Sequence, residues 1–439
     1  MNQQLSTPLN ERVTGAGSFG VRVAAYGDFE PRLITSTERE DAEQYRGSGG
    51  YAVVSDIDAL LLEVEKSGIR GRGGAAFPLA QKLRTVRAST STPIVLANGE
   101  EGEPASVKDR WLMRYRPHLV LDGVRLTVAM VGADDAYLYV SDPASAASLR
   151  AALDEIGSLD SAGRVVVHEV EGTYVAGEET AAVRSINGGP ALPQEKPPRP
   201  FQAGIDNRPT LVSNVETLAN LPSLLAHGAD VYRSLGTDDS SGTFLCTLTG
   251  IGDAGLYELP FGTTLREVLA WLDHDTPITG ALVGGYFAGV MSDRILDVPL
   301  DYGSVRAAGG GLGCGAIAII DESTCPVDVT ADVLAYFDRE NAGQCGSCFN
   351  GTAAMAAAAS AIRDGRAEDA DVERLRGWSQ ALRGRGACGT LDGAANVAAA
   401  LLREFPERVE ALVASPRDGG RAPIARPFAV FEDERKQYA

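Results

Sequence analysis

The residues best suited to chemistry are sulfur donors. Cys345-Gly346-Ser347-Cys348 is a C-x-x-C pair, Cys388 follows forty residues on, and five of the six cysteines fall between Cys314 and Cys388. Six cysteines in 439 residues are too few for a disulfide scaffold, so their clustering points to a metal. Thiolates are soft ligands that suit an iron–sulfur cluster or zinc, and spacing alone does not separate the two. Either normally takes four protein ligands, and only Cys345, Cys348 and Cys388 are obvious here. Cys325 and Cys314 lie nearby in sequence, and each can equally be an inert small hydrophobe.

A second chemical signal is the loop Gly71-Arg72-Gly73-Gly74-Ala75-Ala76-Phe77. Its letters fit G-x-G-x-x-A, but the dinucleotide fingerprint needs a strand before it, and here a helix precedes. What survives is physical: adjacent glycines let backbone N–H groups approach a phosphate or a flat ring, with Arg72 and Lys82 adding positive charge. Two acidic runs, Glu100-Glu101-Gly102-Glu103 and Gly177-Glu178-Glu179-Thr180, follow candidate strands, where an open α/β sheet binds its ligands. Their carboxylates can accept from ribose hydroxyls or ring amides.

Other chemistries are excluded. No Gly-Lys dipeptide exists for a P-loop, and the four histidines, at 118, 168, 227 and 274, are too scattered for a zinc hydrolase helix. Fifty-nine acidic against 40 basic residues give a net charge of −19, which disfavours nucleic acid and anionic lipid as partners. Apolar runs are broken well before the ~18 residues of a spanning helix, and no signal segment opens the chain, so direct membrane insertion is not expected and the protein reads as cytoplasmic.

The elements that must position these groups follow from periodicity. Residues 1–45 read as an N-terminal arm. Ile57, Leu60, Leu61 and Val64 predict a helix stopped by Gly68. Pro93–Ala97 reads as a buried strand, Leu119–Val131 as an apolar helix, and Tyr137–Val140, Ser145–Ile156 and Val165–Val170 as a strand, helix, strand crossover. A long Pro- and Gly-rich loop spans 188–209. Thr243–Leu248 and Leu256–Leu259 predict a hairpin, with a helix at Thr264–Leu272. Ala307–Gly315 is too glycine-rich for an element and leads into a strand, Ala316–Ile320. From Asp328 to about Ala414 the pattern is helical, with stripes at Val329, Val333, Phe337 and at Val372, Leu375, Leu382; the tail after Ser415 reads as loose.

Taken in order, these segments resemble a known family. Gly68 to Pro78, Asn98 to Pro104 with Lys108-Asp109-Arg110, Tyr174 to Ala181, Leu192-Pro193 with Lys196-Pro197-Pro198, Asn214-Val215-Glu216-Thr217, and Cys345-x-x-Cys348 with Cys388 are similar to the NADH-oxidising FMN flavoprotein subunit of respiratory complex I, a family shared with diaphorase subunits of NAD-linked hydrogenases and formate dehydrogenases. The resemblance implies an α/β FMN and NAD(P)H-binding domain (46–240), a β-grasp (SLBB-like) module (241–305), a Gly-rich connector (306–328), a helical iron–sulfur domain (329–415) and a tail (416–439). It implies FMN held by Gly71, Arg72, Gly73, Gly74, Lys82, Asn98, Glu101, Tyr174, Gly177, Glu178 and Asn214. NAD(H) or NADP(H) would be received by Phe77, Glu103, Glu179, Lys196 and Arg199, and an iron–sulfur cluster by Cys345, Cys348 and Cys388. Glu178 and Glu179 are orienters, since the flavin does the chemistry. Implied partners are a ferredoxin-like or thioredoxin-like iron–sulfur protein and a membrane subunit, through which alone the chain reaches the inner face of a membrane. Electrons would pass on to a quinone, ferredoxin or cytochrome pathway.

Three positions depart from the family pattern. Ala342 stands where the first cluster cysteine is expected, which implies a [3Fe–4S] form or a [4Fe–4S] form with a non-cysteine fourth ligand. Phe349 replaces an arginine after Cys348. Arg199 replaces an aromatic residue in Lys196-Pro197-Pro198-Arg199-Pro200. The expected function is therefore an NAD(P)H-oxidising electron-transfer subunit, and the alternative is a non-catalytic or cluster-free scaffold subunit that keeps the fold.

Overall fold

The structure, a computed structural model, describes residues 20–157, 164–252, 254–414 and 422–430. Among these, ten strands divide into two sheets: β1 (Arg22–Ala25), β2 (Ile94–Asn98), β3 (Asp135–Val140), β4 (Arg164–Glu169), β5 (Thr210–Asn214), β6 (Thr243–Thr249), β7 (Gly255–Pro260), β8 (Ile278–Val283), β9 (Val290–Ser292) and β10 (Ala316–Asp321).

The first sheet has the order β4-β3-β2-β5 and is parallel throughout. Burial on both faces explains why β2 is an unbroken apolar run rather than an alternating one. The crossover from β3 to β4 is the helix Pro143–Ile156, begun by Asp142, whose carboxylate accepts from the Ser145 amide, with proline in the first turn. The apolar helix Pro117–Val131 is buried along nearly its whole length. It lies so close to the short helix Val215–Ala219 that a Cβ on Gly123 would collide with the Leu218 carbonyl. The helix Ile57–Ser67 forms as its periodicity predicts, with Asp56 capping it and Leu60, Leu61 and Val64 buried.

The second sheet, β1-β7-β6-β10-β8-β9, revises two sequence readings. Part of the N-terminal stretch is not an arm: β1 pairs in parallel with β7, and the buried Leu33 and Ile34 donate their amides to the buried Glu258 carboxylate at 3.0 and 2.9 Å. A four-residue strand whose partner is more than two hundred residues away leaves no local periodicity to read. Nor is the stretch 306–328 only a connector, because β10 runs through the sheet, parallel to β6 and antiparallel to β8. Its apolar run was legible, whereas its partners were not.

The helices Pro326–Glu340, Gly346–Arg363, Asp369–Ala381, Thr390–Glu404 and Pro406–Ala414 close the fold. Val329, Val333, Phe337 and Leu375 are buried as the stripes predict, and a buried Arg363–Asp332 pair at 3.2 Å crosses between two of the helices. In the tail, residues 422–430 are not loose. Ala425 and Ala429 are buried, the Tyr286 hydroxyl donates to the Pro427 carbonyl, and Arg339 donates to the Ala425 carbonyl. Backbone acceptors, which every sequence carries, make that docking invisible beforehand. No helix among the described residues is long and apolar enough to cross a membrane.

Gly123→Ala is expected to destabilise the protein by about 1–3 kcal/mol, because the two helices must part. Gly377→Ala, in the helix Asp369–Ala381 where an added Cβ meets nothing within 4 Å, is expected to stabilise it by about 0.5–1 kcal/mol. Chemical denaturation of both variants checks the pair.

Candidate functional site

Neighbouring parallel strands β2 and β5 end in register at Asn98 and Asn214, and that C-terminal edge is where ligands of such sheets bind. Asn214 caps the next helix, its side-chain oxygen accepting from the Glu216 amide at 3.0 Å while its nitrogen donates to Asp109 at 2.7 Å. Beneath it, the fully buried Lys108 pairs with Asp109 at 2.7 Å and Glu216 at 3.0 Å. Burial works to discharge Lys108, but the two carboxylates outweigh it and hold the ammonium charged. Asp109 is pushed up by burial, opposed by Lys108. Neither Lys108, Asp109 nor Glu216 was a predicted site residue, although all three lie inside the matching motifs.

The glycine loop is pinched at its base, where the Gly71 amide donates to the Phe77 carbonyl at 2.9 Å and the Leu79 amide to Ile69 at 3.1 Å. Gly74 has φ +109°, which a side chain rarely tolerates, and a Cβ on Gly73 would stand 3.2 Å from the Asn214 Cβ. The loop therefore lies against the end of β5. Arg72 faces away from this edge. Its amide donates to Thr217 at 2.8 Å, and its buried guanidinium donates to the Tyr232 hydroxyl and the Thr243 carbonyl at 3.0 and 3.1 Å and stacks over Phe261 at 4.5 Å. Lys82 donates to the Val212 carbonyl at 2.9 Å, lies 5.9 Å from the half-exposed Phe77 ring, and is made less basic by burial.

The acidic loops meet this edge. Asn98 donates to the Gly177 carbonyl at 2.8 Å, joining the two runs. Glu100, absent from the predicted set, is buried beside Gly177, with one carboxylate oxygen lacking any hydrogen-bond partner. Burial pushes its acid up to about 8. Glu101 is committed to the protein, accepting from Ser106 at 2.6 Å and from the Asp109 and Arg110 amides at 3.2 and 3.0 Å at the start of the helix Lys108–Tyr115. Glu103 accepts from the Tyr286 amide at 2.9 Å and is pushed up to about 7, by burial first. Glu178 caps the helix Glu179–Ile186 and pairs with Lys196 at 2.8 Å; Glu179 lies 3.5 Å from Lys196 and 3.8 Å from the exposed Arg199. Tyr174 packs edge-on against Tyr336 and Phe337 of the helical domain at 5.8 and 5.2 Å.

Cys345, Cys348 and Cys388 line one cleft together with Ala342, Gln344 and Pro193. The Cys348 amide donates to the Cys345 carbonyl at 2.9 Å, so the helix Gly346–Arg363 begins on the C-x-x-C itself. Burial, then the neighbouring Cys388 and Cys345, pushes the Cys348 thiol up to about 12. Gln344 donates to the Pro193 carbonyl at 2.8 Å and accepts from Arg184 at 3.2 Å, tying the thiol loop to the acidic helix. Cys325 precedes the helix Pro326–Glu340, and Cys314 lies near Glu103, outside the cleft lining. Among the described residues, no group of three His, Cys, Asp or Glu side chains is already gathered closely enough to hold a metal ion.

An open parallel-sheet edge facing a glycine loop, with a thiol-lined cleft in an attached helical domain, suits a phosphate-bearing or flat-ring ligand beside a thiolate-bound metal centre, the parts of a redox protein. Residues 64–223 match the Nuo51 FMN-binding domain, and residues 328–412 the NADH-ubiquinone oxidoreductase-F iron–sulfur binding region. The second NADH-quinone oxidoreductase F subunit of Rhizobium meliloti is 34% identical over 406 residues, which are 86% of this chain and 96% of that one. The corresponding F subunit of Mycobacterium tuberculosis is 32% identical, over 91% of this chain and 94% of that one. A solved NAD+-reducing [NiFe]-hydrogenase in the H2-reduced state superposes with a TM-score of 0.80 at 31% identity, over 90% of this chain and 68% of that chain. The chain belongs to the NADH-quinone oxidoreductase F-subunit family.

Glu100 yields a pH prediction. Between about 4.5 and 8 the folded chain holds a proton that the unfolded chain releases, so this group costs stability as pH rises. Glu100→Gln is expected to stabilise the flavin-free protein by roughly 1–3 kcal/mol at pH 8.5 and by much less at pH 5, read by urea unfolding.

Proposed function

We propose that this chain is an NADH-oxidising FMN subunit that delivers electrons singly to a partner subunit. The observation that carries the reading is the linkage of two sites: the glycine-lined edge at Asn98 and Asn214 is joined, through Arg184, Gln344 and Pro193, to a cleft holding three thiols. The six-stranded sheet, with its β6–β7 hairpin and the helix Leu265–Trp271, reads as the β-grasp module, extended by β1 and β10.

The residues present fit FMN. Gly73 leaves room at Asn214 that a Cβ would fill, and the unpartnered Glu100 oxygen offers a buried acceptor or, protonated, a donor. When bound, FMN supplies the redox chemistry, taking two electrons as a hydride and releasing them one at a time. Gly71, Gly73, Gly74, Lys82, Asn98, Gly177, Glu178 and Asn214 are the residues proposed to hold it. Arg72 and Glu101, both spent on the protein's own backbone and side chains, act instead as braces that fix the glycine loop and the acidic loop. Phe77, Glu103, Glu179, Lys196 and Arg199 are proposed to receive the nucleotide. Lys196 neutralises Glu178 and Glu179, so that a dinucleotide diphosphate does not meet two bare carboxylates. Three thiols in one cleft fit an iron–sulfur cluster, which relays single electrons. The acceptor pathway, whether quinone, ferredoxin or cytochrome, lies with the partners.

Anaerobic addition of NADH to purified protein is expected to bleach the flavin bands; full flavin content without bleaching would favour the scaffold alternative, for which Ala342 is the supporting observation. Gly73→Val is expected to abolish flavin retention, and stoichiometric FMN in that variant would show the loop to be misassigned.

Glu103 predicts how nucleotide affinity follows pH. Above about 7 its carboxylate is ionised and accepts from ribose hydroxyls, so NADH binding is expected to tighten as pH rises from 6 to 8. Glu103→Gln should flatten that profile and weaken NADH roughly tenfold at pH 8. The same charge repels a 2′-phosphate, while Arg199, 58% exposed at its side chain, can grip one. NADH is expected to remain the better substrate, and Arg199→Phe to raise the ratio of kcat/KM for NADH over NADPH. An unchanged ratio would mean that Arg199 does not read the phosphate.

A further inference from the structure

The thiol cleft is asymmetric. Ala342, Cys345 and Cys348 recur every three residues along one loop and helix start, and all three line the cleft, yet only two bring a ligand. A methyl group cannot coordinate metal.

Among the described residues, no neighbouring side chain is placed to take over. The Gln344 amide is spent at both ends, on Pro193 at 2.8 Å and Arg184 at 3.2 Å. Asn341 donates to the Asp338 carbonyl at 2.6 Å and accepts from the Gly343 amide at 2.9 Å. The Ser347 hydroxyl donates to the Arg385 carbonyl, and Thr390 sits on Cys388 itself, oxygen to sulfur 3.3 Å. Asp392 lies close enough to influence the Cys348 thiol, but it accepts from the Gly384 amide at 2.6 Å and is not part of the cleft lining. The Ala342 side is also the open side: Gly343 and Gln344 are exposed, whereas Cys348 is buried. Arg184, held beside Gln344, places positive charge at that opening.

We propose that an iron–sulfur cluster held by Cys345, Cys348 and Cys388 has one iron without a ligand from the described residues, on the Ala342 side of the cleft, and that this iron binds an external monodentate anion, a thiolate first among them. The inference rests on the iron–sulfur reading above. A cluster's potential follows its ligand set and net charge, so exchanging water for a thiolate at this position changes it. The step is ligand exchange alone: one Fe–S bond forms, one Fe–O bond breaks, and a bound water or hydroxide leaves with no change in electron count. The source of the thiolate is either a small-molecule thiol or a cysteine of a partner, and the two are distinguished by whether the isolated chain responds to a free thiol.

The test uses the full chain, prepared anaerobically, with iron and acid-labile sulfide measured first. Zinc without sulfide would remove the iron–sulfur reading itself and is recognised at that point. With sulfide present, electron paramagnetic resonance of the reduced protein is recorded with and without 2-mercaptoethanol or cyanide, in the parent and in Ala342→Cys. The expected result is a saturable shift of the g-values in the parent with each ligand, and none in Ala342→Cys. Ferricyanide with a chelator should remove about one iron in four from the parent, the oxidant taking the electron released, and leave Ala342→Cys intact. A parent spectrum that ignores both ligands, with no loss of that iron, would overturn the proposal. A spectrum that responds only once Asp392→Asn is introduced would also overturn it, by showing that the chain's own carboxylate holds the fourth iron. The parent titration stands by itself if Ala342→Cys fails to fold.

Discussion

Everything at the C-terminal edge of the four-stranded sheet hangs on Glu216, a carboxylate 1% exposed just past the end of β5. It pairs with Lys108 at 3.0 Å, accepts from the Leu245 amide of β6 at 3.0 Å, and lies 3.9 Å from the Arg72 guanidinium. One side chain thus ties together the helix that follows the acidic loop, the second sheet and the glycine loop. A buried charge of this kind stabilises little beyond an apolar substitute, and removing one partner costs several kcal/mol because the others are left uncompensated. What it provides is register: the glycine loop is set against Asn214 only while Arg72 is held behind it.

A second junction runs between sheet and bundle. Tyr174 belongs to the acidic loop by sequence, yet it packs among Tyr336 and Phe337, and Glu103, Cys314 and Cys388 all bear on its hydroxyl. The Gln344 contact with Pro193 repeats the connection from the other side. Both contacts are made by side chains whose neighbours in sequence belong to the sites, so the spacing between the two sites is set by the same short segments that furnish them. A rigid spacing is what single-electron passage between two centres requires.

How much of this was legible in the sequence differs by kind. Helices with a clear stripe and a cap, such as Ile57–Ser67, and the apolar strands β2 and β10 were readable, because burial of one face leaves a period. The pairing of β1 with β7, the place of β10 within the second sheet and the docking of residues 422–430 were not, since each depends on a partner far away in the chain. The motifs converge on one sheet edge and one cleft, but their letters do not sort the members by role. Nothing in Glu100-Glu101-Gly102-Glu103 distinguishes a carboxylate with a free oxygen from one consumed in capping, and Arg72 reads as a phosphate ligand until its guanidinium is seen stacked over Phe261. Burial, which decides those roles, is a property of the fold.

The parallel pairing of β1 with β7 sets a timetable for synthesis. β1 leaves the ribosome first, and the strand it must join follows about 230 residues later, a wait of roughly 10–50 s at ordinary rates of elongation. Until then Leu33 and Ile34 have no Glu258 to receive their amides, and β6 has neither β7 nor β10 beside it. The four-stranded sheet, complete by residue 214, can form on its own schedule. The nascent chain therefore carries an unsatisfied strand and an apolar segment alongside a sheet whose strands are all present, the condition in which chaperones shield chains from pairing with one another.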